Sequence, residues 1–181
     1  MICNRFRTAA TAVACAAYLT GCGGGGGDGD DENDNRIITT PVSDRAISTY
    51  TDNFIRTNYP AEWTLNTSLS SVSAQFLAPE QTATGGNPNC TVDTVFEPGS
   101  TLTELTERTL TLFNTDPEPV TNLVTVNGVE MTRSTGTITL FTFKSDATQQ
   151  VAYEDDYFHT IVCFSTPQAD TDLVLDSMEL L

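Results

Sequence analysis

The chain is poor in the residues that surface chemistry most often uses. It has one histidine, His159, too few for the usual zinc site of several imidazole and thiolate ligands. A lone His on an apolar stretch reads as packed rather than catalytic. No G-x-S-x-G, P-loop, H-E-x-x-H or G-x-G-x-x-G pattern occurs. Lys and Arg together number eight against 24 Asp and Glu, for a net charge of −16. Without a basic patch to meet phosphates, nucleic acid is excluded as a partner. No apolar run reaches the roughly 20 residues that span a bilayer.

What is present begins with a leader. Arg5 and Arg7 form a positive start, and Thr8 to Leu19 is a mostly apolar stretch of signal-peptide length. Leu19-Thr20-Gly21-Cys22 follows. It is not an A-x-A-like cleavage site; it resembles the bacterial lipobox. The resemblance implies cleavage before Cys22, with residues 1–21 lost along with Cys3 and Cys15, and diacylglycerol carried on the Cys22 thiolate. Several acyl chains hold a membrane stably where one does not. Residues 23–35, GGGGGDGDDENDN, contain nothing apolar and read as a flexible, self-repelling spacer. Counted from Asp28 as a calcium loop, position 6 is Asn33 rather than Gly and position 12 is Thr39 rather than Glu, so a spacer fits better. Gly23 is not the Asp that often signals inner-membrane retention, which favours the outer membrane facing the periplasm.

Residues 36–181 carry 19 acids and six bases, a side-chain charge of −13. That fits a soluble domain, whose acidity reflects organism-wide composition more readily than a recognition surface. Beyond Cys22 only Cys90 and Cys163 remain. In an oxidising compartment such a pair suggests a disulfide. Its loop of about 74 residues would contribute on the order of 4 kcal/mol in the chain-entropy model. Two buried thiols are the alternative; a redox site lacks its Cys-x-x-Cys.

Residues 36–53 read as an arm. Strands are predicted at 54–58, 71–77, 90–96, 122–126, 129–134, 136–143, 149–154 and 157–165, with turns at 97–100, 144–148 and 155–156. Thr101 and Glu104 form a T-x-x-E capping box that opens a helix over 101–113. Asn127-Gly128 is a strong type I′ hairpin signal. A second helix is predicted over 170–181, capped by Asp170. This order implies an α+β fold, an antiparallel sheet of about six strands packed with helices. Trp63 is expected at the edge of the core. The carboxylates Glu154-Asp155-Asp156 and Asp170-Asp172 have local structural reasons to sit at a turn and a helix start. Asn66-Thr67-Ser68 and Asn89-Cys90-Thr91 match the glycosylation sequon incidentally.

Over residues 54–181 the order of short words resembles the PsbP/Mog1/DUF1795-like group. These words are Asn58-Tyr59-Pro60-Ala61-Glu62-Trp63, the turn and helix at 98–113, the Asn127-Gly128 hairpin, and the closing strand with Thr166-Pro167 and a helix containing Asp176-Ser177-Met178. The group includes photosystem II extrinsic subunits, a nuclear transport factor and many bacterial lipoproteins. The resemblance implies a sandwich of sheet and helices, a binding or assembly role, and no shared catalytic residues or cofactor. The expectation is a non-enzymatic envelope lipoprotein, anchored to the bilayer through Cys22 and binding an envelope protein. The alternative is a periplasmic carrier or sensor of a cation or small ligand.

Overall fold

The computed structural model describes residues 45–70, 72–79, 87–140 and 143–181. Cys22 and the leader lie outside the described residues, as do residues 23–44. Twelve elements follow one another: β1 (Ile47–Thr51), β2 (Ile55–Pro60), β3 (Thr64–Asn66), β4 (Ala74–Leu77), β5 (Asn89–Phe96), α1 (Leu102–Leu110), β6 (Val120–Val126), β7 (Val129–Leu140), β8 (Phe143–Glu154), β9 (Tyr157–Phe164), α2 (Gln168–Asp176) and β10 (Glu179–Leu180). They build two antiparallel sheets, a seven-stranded one in the order β3-β4-β5-β9-β8-β7-β6 and a three-stranded one in the order β1-β2-β10. This is the α+β sandwich expected, with more strands than six.

The large sheet is covered on both faces. On one side the small sheet and α2 bring Tyr50, Ile55, Tyr59, Val174, Leu175 and Met178 against Val92, Met131, Ala152 and Ile161. On the other, α1 places Leu105 on Val151 and Phe158, while Leu110 joins Phe113, Ile138, Ala147 and Phe164. Two-sided cover explains why β9, a central strand, is buried from Phe158 through Ile161 rather than at alternate positions.

Local chemistry places the expected punctuation. Thr101 Oγ1 accepts from the Glu104 amide at 3.2 Å, and the Glu104 carboxylate accepts from the Thr101 amide at 3.0 Å. Asn127 and Gly128 take φ of 50° and 86°, the left-handed pair of a type I′ turn. Asp155 and Asp156 do the same at 51° and 66° between β8 and β9.

Elsewhere tertiary pairing overrides composition. The stretch read as an arm contains β1. Asp52 Oδ1 accepts from the Phe54 and Ile55 amides at 2.8 Å each, turning the chain so that β1 folds back on β2. Tyr50 then packs edge-on to Phe76 at 5.7 Å. The expected turn at 144–148 is instead part of β8, because Thr139, Ile138 and Thr137 of a lengthened β7 pair with Lys144, Ser145 and Asp146. The strands read separately at 129–134 and 136–143 are one strand to Leu140.

The C-terminal helix is shorter than expected. It begins after Pro167, which makes no side-chain cap, and it ends at Asp176; Glu179 and Leu180 pair with Arg56 and Ile55 as β10. Asp170 therefore does not cap α2. It lies in the first turn with its carboxylate 2.9 Å from Arg45 Nη1.

Candidate functional site

Cys90 and Cys163 are directly opposite one another on β5 and β9, with Cα atoms 4.0 Å apart, and are joined as a disulfide. Both are buried, Cys163 at 2% exposure, so the bond is a clamp across the middle of the sheet and is closed to solvent thiols.

His159 is also buried, at 3% exposure. Its Nδ1 is 3.1 Å from Thr94 Oγ1, and its ring neighbours Tyr157 and Phe54 at 6.3 and 6.4 Å. Burial away from water holds its pKa down to about 4, against the weaker pull of the Asp52 carboxylate. A neutral, packed imidazole with a hydroxyl partner positions strand β9 and offers no proton donor near neutral pH. Asp52 itself accepts from the Tyr50 hydroxyl at 2.8 Å, and burial with that carboxylate pushes the phenol pKa up.

Trp63 is 6% exposed and belongs to the same core as Tyr59, which stacks on Phe76 with ring centroids 4.6 Å apart. The Trp63 amide donates to Pro60 O at 3.0 Å, so Tyr59 to Trp63 is a tight turn with an aromatic anchor at each end. The acids at 154–156 form the β8–β9 turn, where Tyr153 Oη donates to Asp156 Oδ1 at 3.1 Å. Among the described residues no group of three His, Cys, Asp or Glu side chains could hold a metal. An open hollow beside α2 is lined by Ala169, Asp172, Leu173, Asp176 and Ser177.

Two polar arrangements that join distant parts of the chain were not legible beforehand. Arg45 reaches 125 residues along the chain to Asp170, whose side chain is 6% exposed. Burial raises the Asp170 pKa and the guanidinium opposes that rise. Arg133 Nε and Nη2 donate to Gln150 Oε1 at 2.9 and 2.6 Å, and Nη2 also donates to Asp176 Oδ1 at 2.7 Å. Gln150 Nε2 then donates to Leu175 O at 2.9 Å, which locks α2 to the sheet.

The surface differs sharply between edges. Strand β6 closes the large sheet, and no described strand lies on its outer side. It is seven residues long, whereas the opposite edge strand, β3, has three. Its sequence, VTNLVTV, has no charge and no proline. Val120 and Leu123, 64% and 63% exposed, are the two most exposed large apolar side chains among the described residues.

No protein-family model matches the chain, and no curated protein matches it in sequence. Solved structures do. Cyanobacterial PsbP (CyanoP) of Synechocystis sp. superposes with a TM-score of 0.52 at 14% identity, over 78% of this chain and 96% of that one. LpqN of Mycobacterium tuberculosis, described as involved in cell envelope biogenesis, gives 0.54 at 8% identity, over 77% and 94%. A Bacteroides thetaiotaomicron protein gives 0.50 at 12% identity, over 74% of this chain and 48% of that one. The fold is PsbP-like. The identities are low enough that the likeness concerns the fold alone.

Proposed function

We propose that the protein is an envelope lipoprotein, held by acyl chains on Cys22, that presents its PsbP-like domain to a protein partner and has no catalytic activity. The observation that carries the reading is the leader ending in Leu19-Thr20-Gly21-Cys22, followed by a glycine-rich acidic spacer and then a folded domain. A tether of that kind keeps a domain near a membrane while leaving its surface free. LpqN, which shares the fold, is described as involved in cell envelope biogenesis, in keeping with this reading. The buried disulfide fits an oxidising one. The titratable groups described above act as struts within the fold: His159, Asp170 and Arg133 each hold one element to another.

Radiolabelled palmitate tests the anchor. Label is expected in the full chain and lost in Cys22→Ala. Label that persists in the variant, or never enters the wild type, refutes the anchor. Calorimetry with calcium and with a small-molecule envelope extract tests the binding role: a saturable heat would replace the protein-binding reading with that of a carrier.

A further inference from the structure

We propose that β6 is a self-recognition edge, where two copies of the chain pair antiparallel about a two-fold axis through Leu123 and join their large sheets into one. The inference concerns the folded domain and does not rest on the lipid anchor.

The Asn127-Gly128 turn sets which backbone groups of β6 face outward. In a two-residue hairpin the flanking residues, Val126 and Val129, exchange both backbone hydrogen bonds. Alternation along the strand then turns the amides and carbonyls of Val124, Asn122 and Val120 toward β7. Those of Thr121, Leu123 and Thr125 point outward, where no described strand meets them. Proteins commonly protect such an edge with lysine, proline, a bulge or shortness. None of these occurs within Val120–Val126.

The strand is also self-complementary. Outward from Leu123, its neighbours are Asn122 and Val124, then Thr121 and Thr125, then Val120 and Val126. Apart from Asn122 against Val124, the sequence reads the same in both directions. A two-fold interface needs one patch that complements itself. In the antiparallel register centred on Leu123, Thr121 of each copy faces Thr125 of the other, and the two Leu123 residues face each other. The three outward-pointing residues make three facing pairs of the doubly bonded kind, about six backbone hydrogen bonds.

Side chains agree with this register. Thr121 Oγ1 lies 2.9 Å from Ser134 Oγ, and Thr132, the β7 partner of Leu123, meets Thr106 of α1 at 2.6 Å. Leu123 therefore lies on the α1 face of the sheet, where facing leucines would cover the apolar surface each now exposes. On the other face Val124 and Val126 already belong to the main core. Val120 of one copy would sit beside Val126 of the other and extend that core. Threonine pairs and apolar pairs are favourable cross-strand neighbours, and no like charges face each other within the strand. The opposing term is the charge of −13 on residues 36–181, which salt would screen.

Cysteine cross-linking of the purified full chain under a mild thiol oxidant tests the register. Facing residues of this kind have Cα atoms about 5.5 Å apart, within disulfide range. Leu123→Cys is expected to give a species of twice the protomer mass. Thr121→Cys alone should stay at the wild-type background, because its two copies are four residues out of register. Combining Thr121→Cys with Thr125→Cys should restore the dimer. No dimer with Leu123→Cys, or equal cross-linking by Thr121→Cys, overturns the proposal. A cross-linked species of any other mass also overturns it, by placing a different chain at the edge. In sedimentation, wild-type association should tighten with salt. Leu123→Lys should weaken it by about tenfold or more, because each copy would then bring a charge against its twin. Association that ignores Leu123→Lys, with the variant folded by circular dichroism, refutes the interface.

Discussion

Gly136→Ala separates two opposing effects that the structure allows to be weighed. Gly136 lies in β7 opposite Ala147, and its φ is not in the left-handed region. On backbone grounds alone, alanine should stabilise by about 0.4–1 kcal/mol, since it restricts the unfolded chain. The folded neighbours decide otherwise. A Cβ at this position falls 2.9 Å from Phe113 Cδ1, 3.1 Å from Pro119 Cβ and 3.2 Å from Pro119 Cα. Phe113 is 6% exposed in the cluster with Ile138, Ala147 and Phe164, so its ring has no free path away. Pro119 presents backbone, which moves only with its segment. Overpacking of this kind costs about 1–3 kcal/mol. The net expectation is a loss of about 1–2 kcal/mol, or a fall in Tm of roughly 2–8 °C for a domain of this size. Thermal unfolding by circular dichroism measures it. Repeating the substitution in a Phe113→Ala background isolates the ring contact, and the penalty should shrink there by about half. Gly128→Ala is the control: it has open space but a φ of 86°, so its cost is intrinsic to the backbone and should not respond to Phe113→Ala. A Gly136→Ala protein as stable as wild type, or a penalty unchanged without the ring, would refute the packing argument.

Further expectations concern the buried struts. Replacing Cys90 and Cys163 by alanine opens a link spanning 73 positions and should destabilise by about 4 kcal/mol, read as a lower denaturant midpoint; alkylation of both thiols in protein denatured without reductant would show that no link exists. His159 is the one histidine, so its ring resonances titrate alone. With a folded pKa near 4 against about 6.5 unfolded, the unfolded state binds the proton first, and stability is lost as pH falls through that window, by up to about 3 kcal/mol. A measured pKa of 6 or above rejects the buried neutral imidazole. Arg45→Met should leave the Asp170 carboxylate without its partner and cost about 1–3 kcal/mol at pH 7. Because burial raises the folded pKa of Asp170, its protonated form favours the fold, so the loss should diminish as pH falls through that pKa. A penalty that stays constant into acid would show that the guanidinium acts through packing alone.

Where a structural signal is local, it was legible in the chain itself. The capping box at Thr101, the left-handed turn at Asn127-Gly128 and the Asp155-Asp156 turn depend on residues within a few positions of one another, and each formed where its chemistry placed it. The strands on either side follow from β-branched and aromatic runs. Together these determine an α+β chain with an antiparallel sheet. The leader motif at Cys22 is of the same local kind.

The rest depended on contacts distant in sequence. Ser145 and Asp146 have the composition of a turn, yet they are strand residues because β7 is long enough to pair with them. Asp170 has the position of a helix cap, but Arg45, far away in the chain, engages its carboxylate. Glu179 and Leu180 fall within the stretch read as a helix over 170–181 and become strand because β2 offers an open edge. The exposed flank of β6 is the clearest case. Its seven residues announce a strand, while only the order of strands in the sheet makes it an edge. An edge is a relation between strands rather than a property of any one of them, and it is there that the tertiary structure puts the surface most able to meet another chain.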